Sequence, residues 1–109
     1  MDAHIVGWGH TPFGALKDQS FEQLILAAAQ EALDHAGLAA SDIDAIWLGH
    51  FNNGMVGDAF AASLVLSLDE GLRFKPATRV ENACASGSAA IYAARDAIQS
   101  GRVRRALVI

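Results

Sequence analysis

From Phe21 onward the apolar positions return at Leu24, Ile25, Ala28, Ala29, Ala32, Leu33 and Ala36. That three-and-four rhythm predicts a helix with one buried face. Ser20 and Gln23 stand at capping-box spacing at its start, and Gly37 supplies the stop. Before it, Ile5 to Trp8 reads as a strand, Thr11 to Gly14 as a Pro/Gly-punctuated turn, and Ala15 to Gln19 as a loop. After a polar turn at Ser41 to Asp44, Ala45 to Gly49 reads as a second strand. His50 to Gly57, with Asn52, Asn53, Gly54 and Gly57, reads as a loop. Asp58 to Leu68 reads as a second helix, with Phe60, Ala61, Leu64, Val65 and Leu68 as its apolar face. Ala77 to Glu81 is a third predicted strand, Cys84 to Ser100 a helix stopped by Gly101, and Arg105 to Ile109 a fourth strand. Alternating strands and helices of these lengths predict a layered α/β fold with at least part of the sheet parallel.

Cys84 changes the picture most. It is the single cysteine of the sequence, and the pattern places it at a strand-to-helix turn. Amides at a helix start can stabilise a thiolate there, and can hold the oxyanion formed when sulfur attacks a carbonyl. A free cysteine also serves in many proteins as a small buried hydrophobe. The neighbours favour the chemical alternative. Ala83, Ala85, Ser86, Gly87, Ser88, Ala89 and Ala90 make a nearly continuous small-residue surface that lets a ligand or another backbone approach closely. Gly87 is a poor helix residue, so its place in the first turns points to a need for packing or access. Asn82 reads as closing the turn through a side-chain to backbone bond and as holding the Cys84 loop in shape.

Composition narrows the function classes. The 109 residues are 52% hydrophobic and 18% charged, with a formal net charge of −4. That charge gives no electrostatic footprint for nucleic acid. No apolar run reaches the roughly 18 residues of a membrane span. A single cysteine forms no internal disulfide framework and fits a reducing compartment. The terminal run Arg105 to Ile109 has the character of a buried inner strand, so the sequence reads as the front part of a longer protein.

Other candidate chemistry is thin. Gly7 and Gly9 follow a strand, but Pro12 stands where the third glycine of a dinucleotide fingerprint would fall. His4, His10, His35 and His50 lack metal-ligand spacing, so no metal site is expected. His35 sits near a helix end, where it complements the dipole. His10 and His50 follow strands, and strand ends are where α/β folds gather ligands, so both are candidates for a place beside the site. Arg95, Arg102, Arg104 and Arg105 read as a solvated rim, with contact to ligand phosphates as the lesser alternative.

The stretch Asn82-Ala83-Cys84-Ala85-Ser86-Gly87 resembles the nucleophile motif of the thiolases, Asn-x-x-Cys-Ala-Ser-Gly, with one residue fewer between Asn and Cys. Glu81-Asn82-Ala83-Cys84 is closest to the sterol-carrier-protein-type branch and its bacterial relatives. Near the start, Ile5-Val6-Gly7-Trp8-Gly9-His10-Thr11-Pro12-Phe13-Gly14 resembles the family's opening strand followed by Arg-Thr-Pro-Phe-Gly, with His10 in place of Arg.

The resemblance implies an α-β-α-β-α layered fold with a mixed sheet and helices on both faces. Residues 1–109 would form the N-terminal portion of its first half. It implies an acyl-CoA acyltransferase that makes or cleaves 3-ketoacyl-CoA, with Cys84 as nucleophile and Asn82, Ser86 and Gly87 as substrate-binding or site-shaping residues. It implies acyl-CoA as substrate, no resident cofactor, a homodimer or homotetramer, and a cytoplasmic setting. The family's activating His and further proton-transfer residues belong to its second half, so this segment alone is expected to be inactive. Two alternatives share the resemblance: a β-ketoacyl carrier-protein synthase, and a non-catalytic acyl-CoA-binding or scaffold subunit. The remaining alternative is a structural α/β segment with an inert cysteine.

Overall fold

The computed structural model describes residues 2–52 and 54–109; Asn53, within the predicted 50–57 loop, lies outside the described residues. Three strands build the sheet: β1 (Ala45–Gly49), β2 (Ala77–Val80) and β3 (Ala106–Val108), in the order β2-β1-β3. Both pairings are parallel, with Ile46 opposite Ala77 and Leu107. The expected mixed sheet is therefore represented by parallel pairs alone among the described residues.

Ala45, Ile46, Trp47 and Leu48 of β1 are all buried, as a central strand covered on both faces must be. Alternation along it divides the core in two. Ile46 and Leu48 face a cluster with Ile25, Ala29 and Leu33 of α1 (Phe21–Ala36). Ala45 and Trp47 face Ala90, Ala94 and Ala97 of α2 (Ser86–Gln99). Helices thus cover both faces, as expected.

α1 forms where its pattern places it. The Gln23 amide donates to Ser20 Oγ at 3.1 Å, and the Ser20 amide to Gln23 Oε1 at 2.8 Å, so both arms of the capping box are made. Gly37 ends the helix in the left-handed region, φ +67°. β3 is fixed at its start by Asp44, whose Oδ2 accepts the Arg104 and Arg105 amides at 2.8 and 3.0 Å.

Three expectations are corrected. The run from Ile5 to Trp8 belongs to no strand. It lies along α1, with Gly7 against Ala32 and Ala36 and Gly9 against Ala28 and Glu31. Two residues of the segment thus track one turn of helix, about 6 Å, which only extended backbone achieves. The Trp8 amide donates to His35 Nδ1 at 3.1 Å. The segment has strand conformation without a ladder, because no described strand lies beside it. Residues 58–68 do not form an α-helix; Ala61–Ser67 is 3₁₀-helical. Ser63 Oγ donates to the Phe60 carbonyl and Ser67 Oγ to the Leu64 carbonyl, the local bonds with which serine competes against α-helical geometry. Phe60, expected on the buried face, is exposed. Finally, α2 starts at Ser86 rather than Cys84, because Ala83 has φ +45° and breaks the helical path.

Candidate active site

The turn between β2 and α2 carries Cys84, whose side chain is exposed. Cys84 is therefore not part of a hydrophobic core among the described residues. Ala83, Ala85, Gly87 and Ser88 are exposed beside it, and Ser86 is buried. Of the small-residue stretch, Ala83, Ala85, Gly87 and Ser88 therefore face solvent, Ala89 is half-buried, and Ala90 and Ser86 turn inward.

That serine organises the turn. Ser86 Oγ accepts from the Asn82 amide at 2.9 Å and donates to the Ala83 carbonyl at 2.7 Å. Glu81 Oε2 accepts the Ala83 amide at 2.6 Å. The Ala85 amide donates to the Asn82 carbonyl at 2.8 Å. Asn82 contributes its backbone, and no side-chain bond of Asn82 occurs among the described residues. The side-chain closure expected of Asn82 is made by Ser86 and Glu81 instead. Ser86 was a candidate from sequence; Glu81 was not, although a carboxylate two residues before an exposed amide is the local signal that marks it.

Ala83 sits in the left-handed region, φ +45°, which costs a residue with a Cβ about 1–2 kcal/mol. The three side-chain bonds around it hold it there. The first amides of a helix have no intrahelical acceptor. Here the Ser86 amide bonds the Ala83 carbonyl and the Ala89 amide bonds the Ala85 carbonyl. The Gly87 and Ser88 amides have no acceptor among the described residues.

The packing role expected of Gly87 belongs to Gly49. A Cβ added at Gly87 would meet nothing within 4 Å, whereas one at Gly49 would lie 2.5 Å from the Ser86 carbonyl oxygen and 2.9 Å from the Gly87 amide nitrogen. The end of β1 thus presses on the start of α2, and glycine lets the two backbones meet. Gly87 keeps the access reading alone.

His50 follows Gly49. Its amide donates to the Val80 carbonyl at 3.1 Å, its carbonyl accepts Arg79 Nε at 2.7 Å, and its ring lies 4.6 Å from that of Phe21. Its Nε2 is buried without a hydrogen-bond partner among the described residues. Burial first, and the nearby Arg79 charge second, hold the imidazole below its ordinary pKa, so it favours the neutral form. The strand pairing thus sets His50 at the level of Val80, at the base of the turn. His10 is engaged elsewhere: its ring packs on Phe13 at 4.7 Å and Trp8 at 6.5 Å, and its Nδ1 lies against the Thr11 carbonyl. None of these contacts reaches the Cys84 turn. Arg95 pairs with Asp96 at 2.8 Å, and Arg102 lies over the Trp47 ring, in keeping with a structural rim. No metal-holding cluster of His, Cys, Asp or Glu occurs among the described residues, and no described helix is long and apolar enough to cross a membrane.

Comparison with known proteins places this turn in a wider setting. The sequence model of the family described as "Thiolase, N-terminal domain" matches residues 3–109. The chain is 43% identical over 101 residues to an acetyl-CoA acetyltransferase of Methanocaldococcus jannaschii, covering 92% of this chain and 26% of that protein. It is 31% identical over 100 residues to sterol carrier protein 2 of Homo sapiens, covering 89% of this chain and 18% of that protein. Among solved structures, the Acat5 thiolase from Ascaris suum in complex with coenzyme A superposes with a TM-score of 0.82 at 23% identity, over 95% of this chain and 28% of that one. The chain thus spans about a quarter or less of the curated relatives it matches.

Proposed function

Because the chain belongs to the thiolase family, through the N-terminal domain that residues 3–109 match, we propose that it supplies the nucleophile of an acyl-CoA acyltransferase. In this reading Cys84 Sγ, as thiolate, attacks the carbonyl carbon of an acyl-CoA. The carbon–sulfur bond to coenzyme A breaks, and the departing CoA sulfur takes up a proton. The acyl group is left as a thioester on Cys84. The enolate carbon of a second acyl-CoA then attacks that thioester, a carbon–carbon bond forms, and the Cys84 sulfur leaves. The product is a 3-ketoacyl-CoA; thiolysis is the reverse. A thiolate suits both steps, being a strong nucleophile and a good leaving group.

One observation carries the reading: an exposed sulfur on a strained turn, next to the unpaired Gly87 and Ser88 amides at a helix start. Those amides are suited to hold the oxyanion of the tetrahedral intermediate. Gly87, open to solvent, leaves room for the thioester, and Ser86 and the Asn82 backbone keep the turn in shape. The substrate is acyl-CoA, the protein acts as a homodimer or homotetramer in the cytoplasm, and residues 1–109 alone have no turnover.

Mass spectrometry after brief exposure to acetyl-CoA tests this. The expected result is an acetyl adduct on the Cys84 peptide that is lost in Cys84→Ala, with the fold retained because the sulfur is exposed. No adduct, or an adduct on another residue, refutes it. A carrier-protein thioester accepted in place of the CoA thioester identifies the synthase alternative instead, and an adduct without turnover in the complete protein identifies the scaffold alternative.

A further inference from the structure

The turn before α2 is held from both of the elements it joins. Ser86 belongs to α2, is buried, and ties the turn to the helix. Glu81 is the first residue beyond β2. Its backbone leaves from a fixed point, because the Val80 carbonyl accepts the His50 amide at 3.1 Å and Arg79 Nε donates to the His50 carbonyl at 2.7 Å. From there its side chain reaches forward, and Oε2 accepts the Ala83 amide at 2.6 Å. Glu81 is exposed, and its side chain makes no other hydrogen bond or ion pair among the described residues.

That isolation separates Glu81 from the stability of the fold. An exposed side chain with one local bond contributes little to it. Here the bond also opposes a strain, since it holds Ala83 at φ +45°, a region its Cβ disfavours. Removing the carboxylate loses the bond and lets the peptide relax, and these two effects on stability have opposite signs. Their effect on the turn has one sign. Ser86 alone then opposes the strain, and the backbone that leads into Cys84 is released from the strand side. The bond needs only an acceptor oxygen, which glutamine carries at the same reach and alanine lacks.

We propose that Glu81 is a positioning residue for acyl transfer at Cys84, acting through the Ala83 amide that it holds. It keeps Ala83 left-handed, so that the backbone at Cys84 has one geometry when the thioester arrives. Its role in the reaction rests on the acyltransferase reading of Cys84; its role in the turn rests on the hydrogen bond alone.

The rate of acetyl transfer from acetyl-CoA to Cys84, followed by rapid-quench mass spectrometry in the full-length protein, tests the proposal. Glu81→Ala should lower the maximal rate about 10- to 100-fold, the scale of loss that misplacement of a reacting group brings. The half-saturating acetyl-CoA concentration should stay where it is, because Glu81 binds no substrate. Glu81→Gln should restore the wild-type rate to within about threefold, since the acceptor returns without the charge. Ala83→Gly supplies a second background. Glycine enters the left-handed region without a Cβ penalty, so adding Glu81→Ala there should lower the rate by less than about threefold, a coupling that a double-mutant cycle reads. A Glu81→Ala rate equal to wild type, a Glu81→Gln rate as low as that of Glu81→Ala, or the same loss in both backgrounds overturns the proposal. If the wild type takes up no acetyl group at Cys84, the acyltransferase reading falls instead. Crystal structures of the two Glu81 variants then decide the role in the turn. Ala83 is expected to leave the left-handed region in Glu81→Ala and to stay there in Glu81→Gln, and a left-handed Ala83 in both overturns that role as well.

Discussion

Replacing Gly49 with alanine tests whether the end of β1 sets the position of the Cys84 turn. The new Cβ would stand 2.5 Å from the Ser86 carbonyl oxygen, where 3.4 Å begins ordinary van der Waals contact. Backbone on one side must retreat by about 0.9 Å to restore that separation. The atoms met are backbone, not the far end of a flexible side chain, so no rotamer change relieves the clash. Overpacking of this kind costs about 1–3 kcal/mol. At 2 kcal/mol in a domain of this size, the melting temperature falls by about 8–16 °C. The larger consequence concerns function. The start of α2 carries Ser86, which ties down Asn82 and Ala83 on either side of the turn. A shift approaching 1 Å at a reacting group can lower a rate about 100-fold. Thermal unfolding followed by circular dichroism reads the first effect, and the rate of acetyl transfer to Cys84 the second. A variant that melts with the wild type and acylates at the same rate would show that β1 does not position the turn.

Three further outcomes follow from the same contacts. Ser86→Ala removes the acceptor of the Asn82 amide and the donor to the Ala83 carbonyl in a buried position, and should destabilise by about 1–3 kcal/mol in urea unfolding. Asp44 accepts the amides of Arg104 and Arg105, which, in that order, lower its pKa. Its contribution to stability is therefore full above the unfolded carboxylate pKa of about 3.9 and is lost as pH falls through the lower folded value. Asp44→Asn should melt below wild type at neutral pH, with the gap closing only in strong acid. His50 has a depressed pKa in the fold, so its neutral state favours folding above about pH 6.5, and stability declines as pH falls from there toward its folded pKa. His50→Phe should flatten that part of a melting-temperature profile; a profile of unchanged slope assigns the pH dependence to another group.

Legibility in the sequence followed the locality of the cause. α1 was readable because its cap, its apolar stripe and its stop all lie within one stretch, from Ser20 to Gly37. β1 was readable because four consecutive buried residues between polar flanks admit little else. The Ile5–Trp8 segment has the residues and the conformation of a strand, but pairing belongs to a neighbour, and no residue in the segment encodes the neighbour's presence. At 61–67 the apolar spacing was real, since Ala61, Ala62 and Val65 are buried. The 3₁₀ geometry is accompanied by Ser63 Oγ against the Phe60 carbonyl and by Ser67 Oγ between the Leu64 carbonyl and the Glu22 carboxylate, a partner remote in sequence. The position of Cys84 on an exposed turn was legible from its small neighbours. The identity of the residues holding that turn was only partly so. Ser86 belonged to the motif, whereas Gly49 acts through a contact distant in sequence that no local pattern contains.

The strain at Ala83 ties these elements together. A left-handed alanine without support would relax by rotating its peptide and swinging Cys84 with it. Three restraints prevent that: the Glu81 carboxylate on its amide, the Ser86 hydroxyl on its carbonyl, and the Asn82 amide anchored to that same hydroxyl. Bonds of this kind contribute about 0.5–1.5 kcal/mol each, and more where a carboxylate takes part, enough together to exceed the about 1–2 kcal/mol of the backbone conformation. Gly49 supports the arrangement from below, by letting β1 close on Ser86. The conformation is thus over-determined by its surroundings, the condition under which strained residues persist at sites that need fixed geometry. A turn that served only to reverse the chain would need a glycine at position 83 and none of these restraints. In the proposed reading, what they secure is a fixed backbone at the residue that follows, Cys84.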